Sequence, residues 1–146
     1  MSTSYRSLQI AVAATGVACI SLYPLAVVWP SGWVWESGAP YQSHLFMMIV
    51  GVYATLGIFL LNAARDPKAN LSLIWFTAIS SLVHSAIMAV QALSSGGHDM
   101  GHLLGDIPAL LIVGVVLAVL VRASGLKQPA HARARLLTNK DLASQA

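Results

Sequence analysis

Four long apolar blocks constrain what this chain can fold into more than any other feature. They cover about residues 8–29, 44–63, 71–93 and 104–121. A helix needs about 17 to 25 apolar residues to cross roughly 30 Å of hydrocarbon, and each block is long enough. Of the 146 residues, 57% are apolar and only 9% are charged, whereas soluble domains carry about 25% charged residues. The sequence therefore predicts an all-α, polytopic membrane protein with a four-transmembrane-helix bundle in residues 1–121.

The basic residues predict the orientation of these helices. All eight lie before the first block, between the second and third blocks, or after the fourth: Arg6, Arg65, Lys68, Arg122, Lys127, Arg133, Arg135 and Lys140. Cytoplasmic loops of membrane proteins carry an excess of lysine and arginine. We therefore expect an N-in/C-in topology, with residues 122–146 as a basic cytoplasmic tail that contacts anionic lipid. Because the basic residues do not line one polar surface, no nucleic acid partner is predicted.

Local features refine the first two blocks. Pro24 predicts a kink in the first helix, because proline removes a backbone hydrogen bond and clashes with the preceding turn. The only cysteine, Cys19, lies in the same block, which excludes an intrachain disulfide. We interpret it as a buried, inert thiol. In the second block, Gly51, Thr55 and Gly57 form a small-residue surface that favours helix packing.

The third block carries a polar stripe. At 100° per residue, one face collects Thr77, Ser81, His84, Met88 and Gln91, and the opposite face collects Trp75, Ile79, Leu82, Ala86 and Val90. We expect the first face to contact protein and the second to contact lipid. An ionisable side chain as deep as His84 is a candidate functional residue. The alternative is a neutral histidine that hydrogen-bonds to a serine, a glutamine or a backbone carbonyl of a neighbouring helix.

The predicted topology places four potential ligands on the outer side of the membrane. They are His44 at the start of the second helix, His84 in the third, and His102 and Asp106 before the fourth. Imidazole with carboxylate suits zinc or iron, imidazole with nearby methionines suits copper, and the imidazoles also suit a haem or a quinone. Asp106 has an alternative interpretation as the cap of the fourth helix, because Ile107 and Pro108 follow it.

Three stretches resemble a known family. They are residues 53–61 running into Ala64-Arg65-Asp66-Pro67, then Ser81-Leu82-Val83-His84 with Met88, and then His102-Leu103-Leu104-Gly105-Asp106-Ile107-Pro108-Ala109. They resemble a group of small four-helix bacterial inner-membrane proteins that form a family of unknown function, over about residues 44–120. The resemblance implies a bacterial plasma membrane and a four-helix bundle. It implies no reaction.

Small size and the lack of a catalytic motif favour a non-enzymatic function. We expect an accessory or assembly subunit of a membrane complex, or a bundle that associates with itself. Its partners would be the lipid bilayer and other membrane subunits or further copies. The rival hypothesis is a membrane protein that binds a metal ion or a redox cofactor at the outer histidines. A transporter is less favoured, because four helices leave little room for a gated path.

Overall fold

The structure, a computed structural model, describes residues 3–28, 40–94 and 105–126. Every regular element in these ranges is helical. They are α1 (Thr3–Ile20), α2 (Leu22–Val28), a short 3-10 helix (Pro40–Gln42), α3 (His44–Ala63), α4 (Leu71–Ser94) and α5 (Asp106–Ala123). The predicted all-α class is therefore confirmed. Most of the predicted basic tail lies outside the described residues.

Two of these helices, α3 and α4, are each long and apolar enough to cross a membrane. Together α1 and α2 meet the same requirement, but they are bent by 61° at their junction. The apolar part of α5, Ile107–Ala123, is shorter. The described chain therefore contains two clear candidate spans, and a third if the bent pair crosses as one.

The bend between α1 and α2 confirms the kink that Pro24 predicts. Proline has no N–H, and its ring clashes with the carbonyl four residues earlier. That carbonyl belongs to Ile20, the last residue of α1. The helical hydrogen bonds on either side remain, because Ser21 donates to Val17 and Leu25 donates to Ser21, both at 2.9 Å. The helix is thus interrupted at a single residue.

At both ends of α3, side chains make hydrogen bonds to backbone groups. Ser43 is the N-cap, and its side-chain oxygen accepts a hydrogen bond from the Phe46 N–H at 3.2 Å. A serine cap of this kind typically contributes about 1 kcal/mol. At the other end, Gln9 Nε2 donates to the Ala64 carbonyl at 3.1 Å. Carbonyls at a helix C-terminus lack intrahelical partners, so this bond ties the end of α3 to the first half of α1.

The helices pack in the order α3, α1, α5, α4. Helix α1 contacts α3 and α5, and α5 contacts α4, whereas α3 and α4 touch only sparsely. One buried apolar cluster joins the four long helices: Leu8, Val12, Leu60, Ala63, Leu71, Ile74, Ala78, Leu117 and Val121. These residues come from the start of α1, the end of α3, the start of α4 and the end of α5. The tight core therefore lies in one half of the molecule, which we call the core end.

The described basic residues lie at the core end. They are Arg6, Arg65, Lys68 and Arg122. The Arg122 guanidinium at the end of α5 lies 5.8 Å from the centre of the Trp75 ring near the start of α4, a cation–π contact. Trp75 is half-buried, so the prediction that it faces lipid is wrong. Trp75 packs against the buried apolar cluster as well as Arg122, and sequence pattern alone predicts neither contact.

Glycines permit two close helix crossings. A methyl group on Gly57 of α3 would lie 2.6 Å from the carbonyl oxygen of Gly16 in α1. A methyl group on Gly114 of α5 would lie 2.6 Å from Leu82 Cγ in α4. A methyl group on Gly51 would have nothing within 4 Å. The predicted small-residue packing surface of the second block is therefore confirmed at Gly57 and wrong at Gly51.

We expect the substitution Gly57→Ala to lower the free energy of unfolding by about 1–3 kcal/mol, because the added methyl overpacks the α1–α3 crossing. Gly51→Ala is the matched control in the same helix. Its methyl enters open space, and alanine is the better helix former, so no loss of stability is expected. Chemical denaturation in detergent, followed by circular dichroism, measures both variants. Equal stability of the two would contradict the close crossing.

Candidate functional site

Helix α4 has a buried stripe that faces α5. Its buried residues are Leu71, Ile74, Thr77, Ala78, Ser81, Ser85 and Ala92. Ser85 Oγ donates to the carbonyl of Ile107 in α5 at 3.1 Å. Ser81 and Ser85 are small residues four positions apart, a spacing that lets membrane helices approach closely. That spacing is the sequence signal that identifies the helix-packing face of α4.

The predicted polar stripe of the third block is confirmed only in part. Its members range from buried Thr77 and Ser81, through half-buried His84 and Met88, to exposed Gln91. Two residues that were expected to face lipid, Trp75 and Leu82, are half-buried. Leu82 packs against Gly114 of α5. The buried face is therefore rotated relative to the prediction, because α5 covers the side of α4 that carries the two serines.

His84 is held in place by Tyr53 of α3. Tyr53 Oη lies 3.1 Å from His84 Nδ1, and the two rings meet edge to face with their centroids 6.4 Å apart. The hydroxyl donates to an unprotonated Nδ1, or a protonated Nδ1 donates to the hydroxyl, depending on the tautomer. The second ring nitrogen, Nε2, has no hydrogen-bond partner in the part of the chain that the structure describes.

The hydrogen-bond partner of His84 is a tyrosine, whereas the sequence predicts a serine, a glutamine or a backbone carbonyl. A signal was present. Tyr53 lies nine residues inside the second apolar block, where a phenolic hydroxyl cannot hydrogen-bond to lipid tails. Such a hydroxyl requires a polar partner on a neighbouring helix, and His84 is a deep polar residue of the next block.

His84 also lines a groove of about 340 Å³ on α4. The groove is lined by Ser80, Val83, His84, Ile87, Met88 and Gln91. Val83 and Ile87 are 52% and 54% exposed. His84 lies ten residues before Ser94 and thirteen after Leu71, which places it roughly 15 Å and 20 Å from the two helix ends. The groove therefore presents polar groups near the middle of a helix long enough to span a bilayer.

The structure does not bring His44 next to His84. His44 is the first residue of α3, and Tyr53 lies nine residues further on. Nine residues are two and a half turns, so His44 lies about 13 Å from Tyr53 along the axis and on the opposite face of the helix. Because Tyr53 contacts His84, His44 is distant from His84, and its side chain is exposed.

The side chains of the other two predicted ligands, His102 and Asp106, lie outside the described part of the chain. His102 lies outside the described residues. Asp106 is the first residue of α5, with Gly105 in the N-cap position, so Asp106 takes the first helical position instead of the cap; its side chain lies outside the described part. Within the described ranges, no three His, Cys, Asp or Glu side chains could hold a metal ion together. The site formed by His44, His84, His102 and Asp106 stays a prediction.

Comparison with known proteins identifies the family. The model of a family of unknown function (DUF6632) matches residues 2–139. The chain belongs to this family. The match includes all five described helices, and it confirms the resemblance to a family of unknown function. No curated protein and no solved structure matches the chain.

We expect Tyr53→Phe to lower the free energy of unfolding, because it removes the hydroxyl that bonds to His84. In a double-mutant cycle with His84→Leu, the coupling energy should be about 0.6 kcal/mol and at most about 1.7 kcal/mol, as for other hydrogen bonds between membrane helices. Tyr41→Phe is the control, since Tyr41 is 61% exposed. Denaturant unfolding in detergent gives the stabilities of the four proteins of the cycle and of the control. Additive single effects would show that the two side chains do not interact.

Proposed function

We propose that this protein is a multi-pass protein of the bacterial inner membrane, with four spans and both termini in the cytoplasm. Helices α1 and α2 form one bent span, and α3, α4 and α5 form the others. The gathering of Arg6, Arg65, Lys68 and Arg122 at the core end supports this orientation, because basic residues favour the cytoplasmic side. The groove on α4 then lies toward the outer leaflet.

Single cysteines test this topology. Cys19→Ala removes the only native thiol, and Lys68→Cys or Tyr41→Cys then adds one at an exposed position on either side. On intact cells, a membrane-impermeant maleimide should label Tyr41→Cys and leave Lys68→Cys unlabelled. Permeabilised cells should show labelling of both, which serves as the control. Labelling of Lys68→Cys on intact cells would contradict the proposed orientation and indicate the opposite one.

We propose a non-enzymatic function for this membrane protein: assembly with another membrane helix through the groove on α4. The observation that carries the proposal is the exposure of polar groups in that groove, where Nε2 of His84 and the Gln91 amide have no partner among the described residues. Lipid tails offer neither donors nor acceptors, so an unpaired polar group in the hydrocarbon is costly. Hydrogen bonds and close packing are the forces that associate membrane helices. A helix seated in the groove would provide both.

The hydrogen bond between Tyr53 and His84 supports the same proposal. Helices α3 and α4 touch sparsely, yet Tyr53 reaches across to fix His84. This bond fixes the His84 side chain of the groove wall, so a partner helix would lose less entropy in orienting that side chain. The partner would be a second copy or a subunit of a larger membrane complex.

A specific observation also favours a second candidate, a site for a metal ion or a redox cofactor. Histidine ligands are usually oriented by a hydrogen bond to the ring nitrogen that does not bind the metal. Tyr53 makes such a bond to Nδ1 of His84, which leaves Nε2 for a ligand. His102 and Asp106 would be the partners that the sequence predicts at this side of the membrane.

One preparation tests both candidates. For the protein in mild detergent or nanodiscs, native mass spectrometry should show an assembly heavier than the 15.4 kDa chain. Ser80→Leu fills the groove and should shift the assembly toward monomer. Ser72→Leu is the matched control, an exposed serine of the same helix outside the groove. Monomeric wild type with no stoichiometric partner would contradict assembly, and bound metal or a visible absorption band would favour the second candidate.

A further inference from the structure

We infer that the partner of the groove is a second copy of this chain, and that the α4 helices of the two copies pair in parallel. The contact would run along Ser80, His84, Ile87, Gln91 and Ser94, which we call the α4 seam. This inference rests on the proposed assembly function and names its partner.

The spacing of the α4 seam matches helix pairing. Successive members are four, three, four and three residues apart. This alternation is the heptad spacing that keeps one stripe of a helix against its partner in a left-handed supercoil. Ile87 is 54% exposed and Gln91 and Ser94 are also exposed, whereas Ser80 and His84 are half-buried. Ser85, which bonds to α5, lies on another face, so a second copy would not displace α5.

Symmetry specifies which residues meet. Copies of a membrane protein insert with the same orientation, so two α4 helices related by a two-fold axis along the membrane normal run parallel. Each seam residue then lies beside its own counterpart, as in parallel coiled coils. Seam residues must therefore be complementary to themselves.

The α4 seam meets that requirement. The Gln91 amide both donates and accepts hydrogen bonds, and its side chain has no partner within the described ranges, so two copies of Gln91 pair with each other. At His84, Nδ1 is engaged by Tyr53, so Nε2 is the nitrogen left for the second copy, as a donor or as an acceptor according to the tautomer. No seam residue carries a formal charge, so two seams do not repel. Lipid tails would fill the same groove but leave these groups unpaired.

Cysteine scanning in a membrane tests the α4 seam. In the Cys19→Ala background, single cysteines replace residues 79–94 in turn. Copper phenanthroline is then added to isolated membranes to oxidise the introduced thiols to disulfides. Disulfides form when Cα atoms lie about 4.4–6.8 Å apart, so Ile87→Cys should give on the order of tenfold more dimer than Ile79→Cys. Ile79 is a matched control, an isoleucine of the same helix that is 55% exposed against 54% for Ile87. Maxima should recur at the five positions of the seam: Ser80, His84, Ile87, Gln91 and Ser94.

The outcomes separate this inference from the proposal beneath it. Equal cross-linking of Ile79→Cys and Ile87→Cys would mean random collision and would overturn the α4 seam. A stoichiometric assembly by mass without seam cross-links would also overturn it, and would leave the proposed assembly function standing with another partner. A protein that is monomeric by mass and forms no cross-links would contradict both the α4 seam and the proposed assembly function.

The contribution of the Gln91 amide to association is measured separately. In the Ile87→Cys protein, Gln91→Leu should weaken association by roughly three- to twentyfold, the range expected for a hydrogen bond between membrane helices. Val90→Leu is the control beside it, because Val90 is 65% exposed and lies outside the seam. Dilution of the protein into increasing amounts of lipid gives the dissociation constants. An equal effect of both substitutions would show that the Gln91 amide does not pair.

Discussion

The contact between the backbones of α1 and α3 at Gly16 and Gly57 is the constraint on which the rest of the arrangement depends. A methyl group on either glycine would lie within 3.0 Å of the opposite carbonyl oxygen, so the two backbones are in close contact at this crossing. Helix α1 then uses another side for α5, and α5 holds α4 through Gly114. The helices α3 and α4 are thus at opposite ends of a series of contacts.

The two halves of the molecule are stabilised by different interactions. Apolar side chains fill the core end, whereas further along α4 the described links are the packing of Leu82 on Gly114, the Ser85 bond to α5 and the Tyr53 bond to His84. Lipid is as apolar as leucine, so close packing and hydrogen bonds, rather than hydrophobicity, decide whether membrane helices associate. Polar bonds therefore supplement close packing in this part of α4. The Tyr53 bond joins α3 to α4 where little else does.

The apolar blocks and Pro24 predict much of the fold, because helix length and proline chemistry are local properties. Block 44–63 coincides with α3, and the break at Ser21 follows from Pro24. The rotation of α4 could not be derived in the same way. Whether Leu82 faces lipid or protein depends on the position of Gly114, which is distant in sequence. The candidate site is predictable only in part for the same reason. The depth of His84 is visible in the sequence, but its bond to Tyr53 requires α3 and α4 to be neighbours.

The two proposed uses of the groove compete for one surface. A second α4 along the seam would cover Ile87 and the approach to His84 from lipid. A metal ion or cofactor bound at Nε2 of His84 would then lie at the two-fold axis, shared between copies, or would exclude the second copy. Because Tyr53 already occupies Nδ1, His84 has one nitrogen for either role. Assembly and ligand binding at this residue are therefore coupled: whichever group takes that nitrogen changes the affinity for the other.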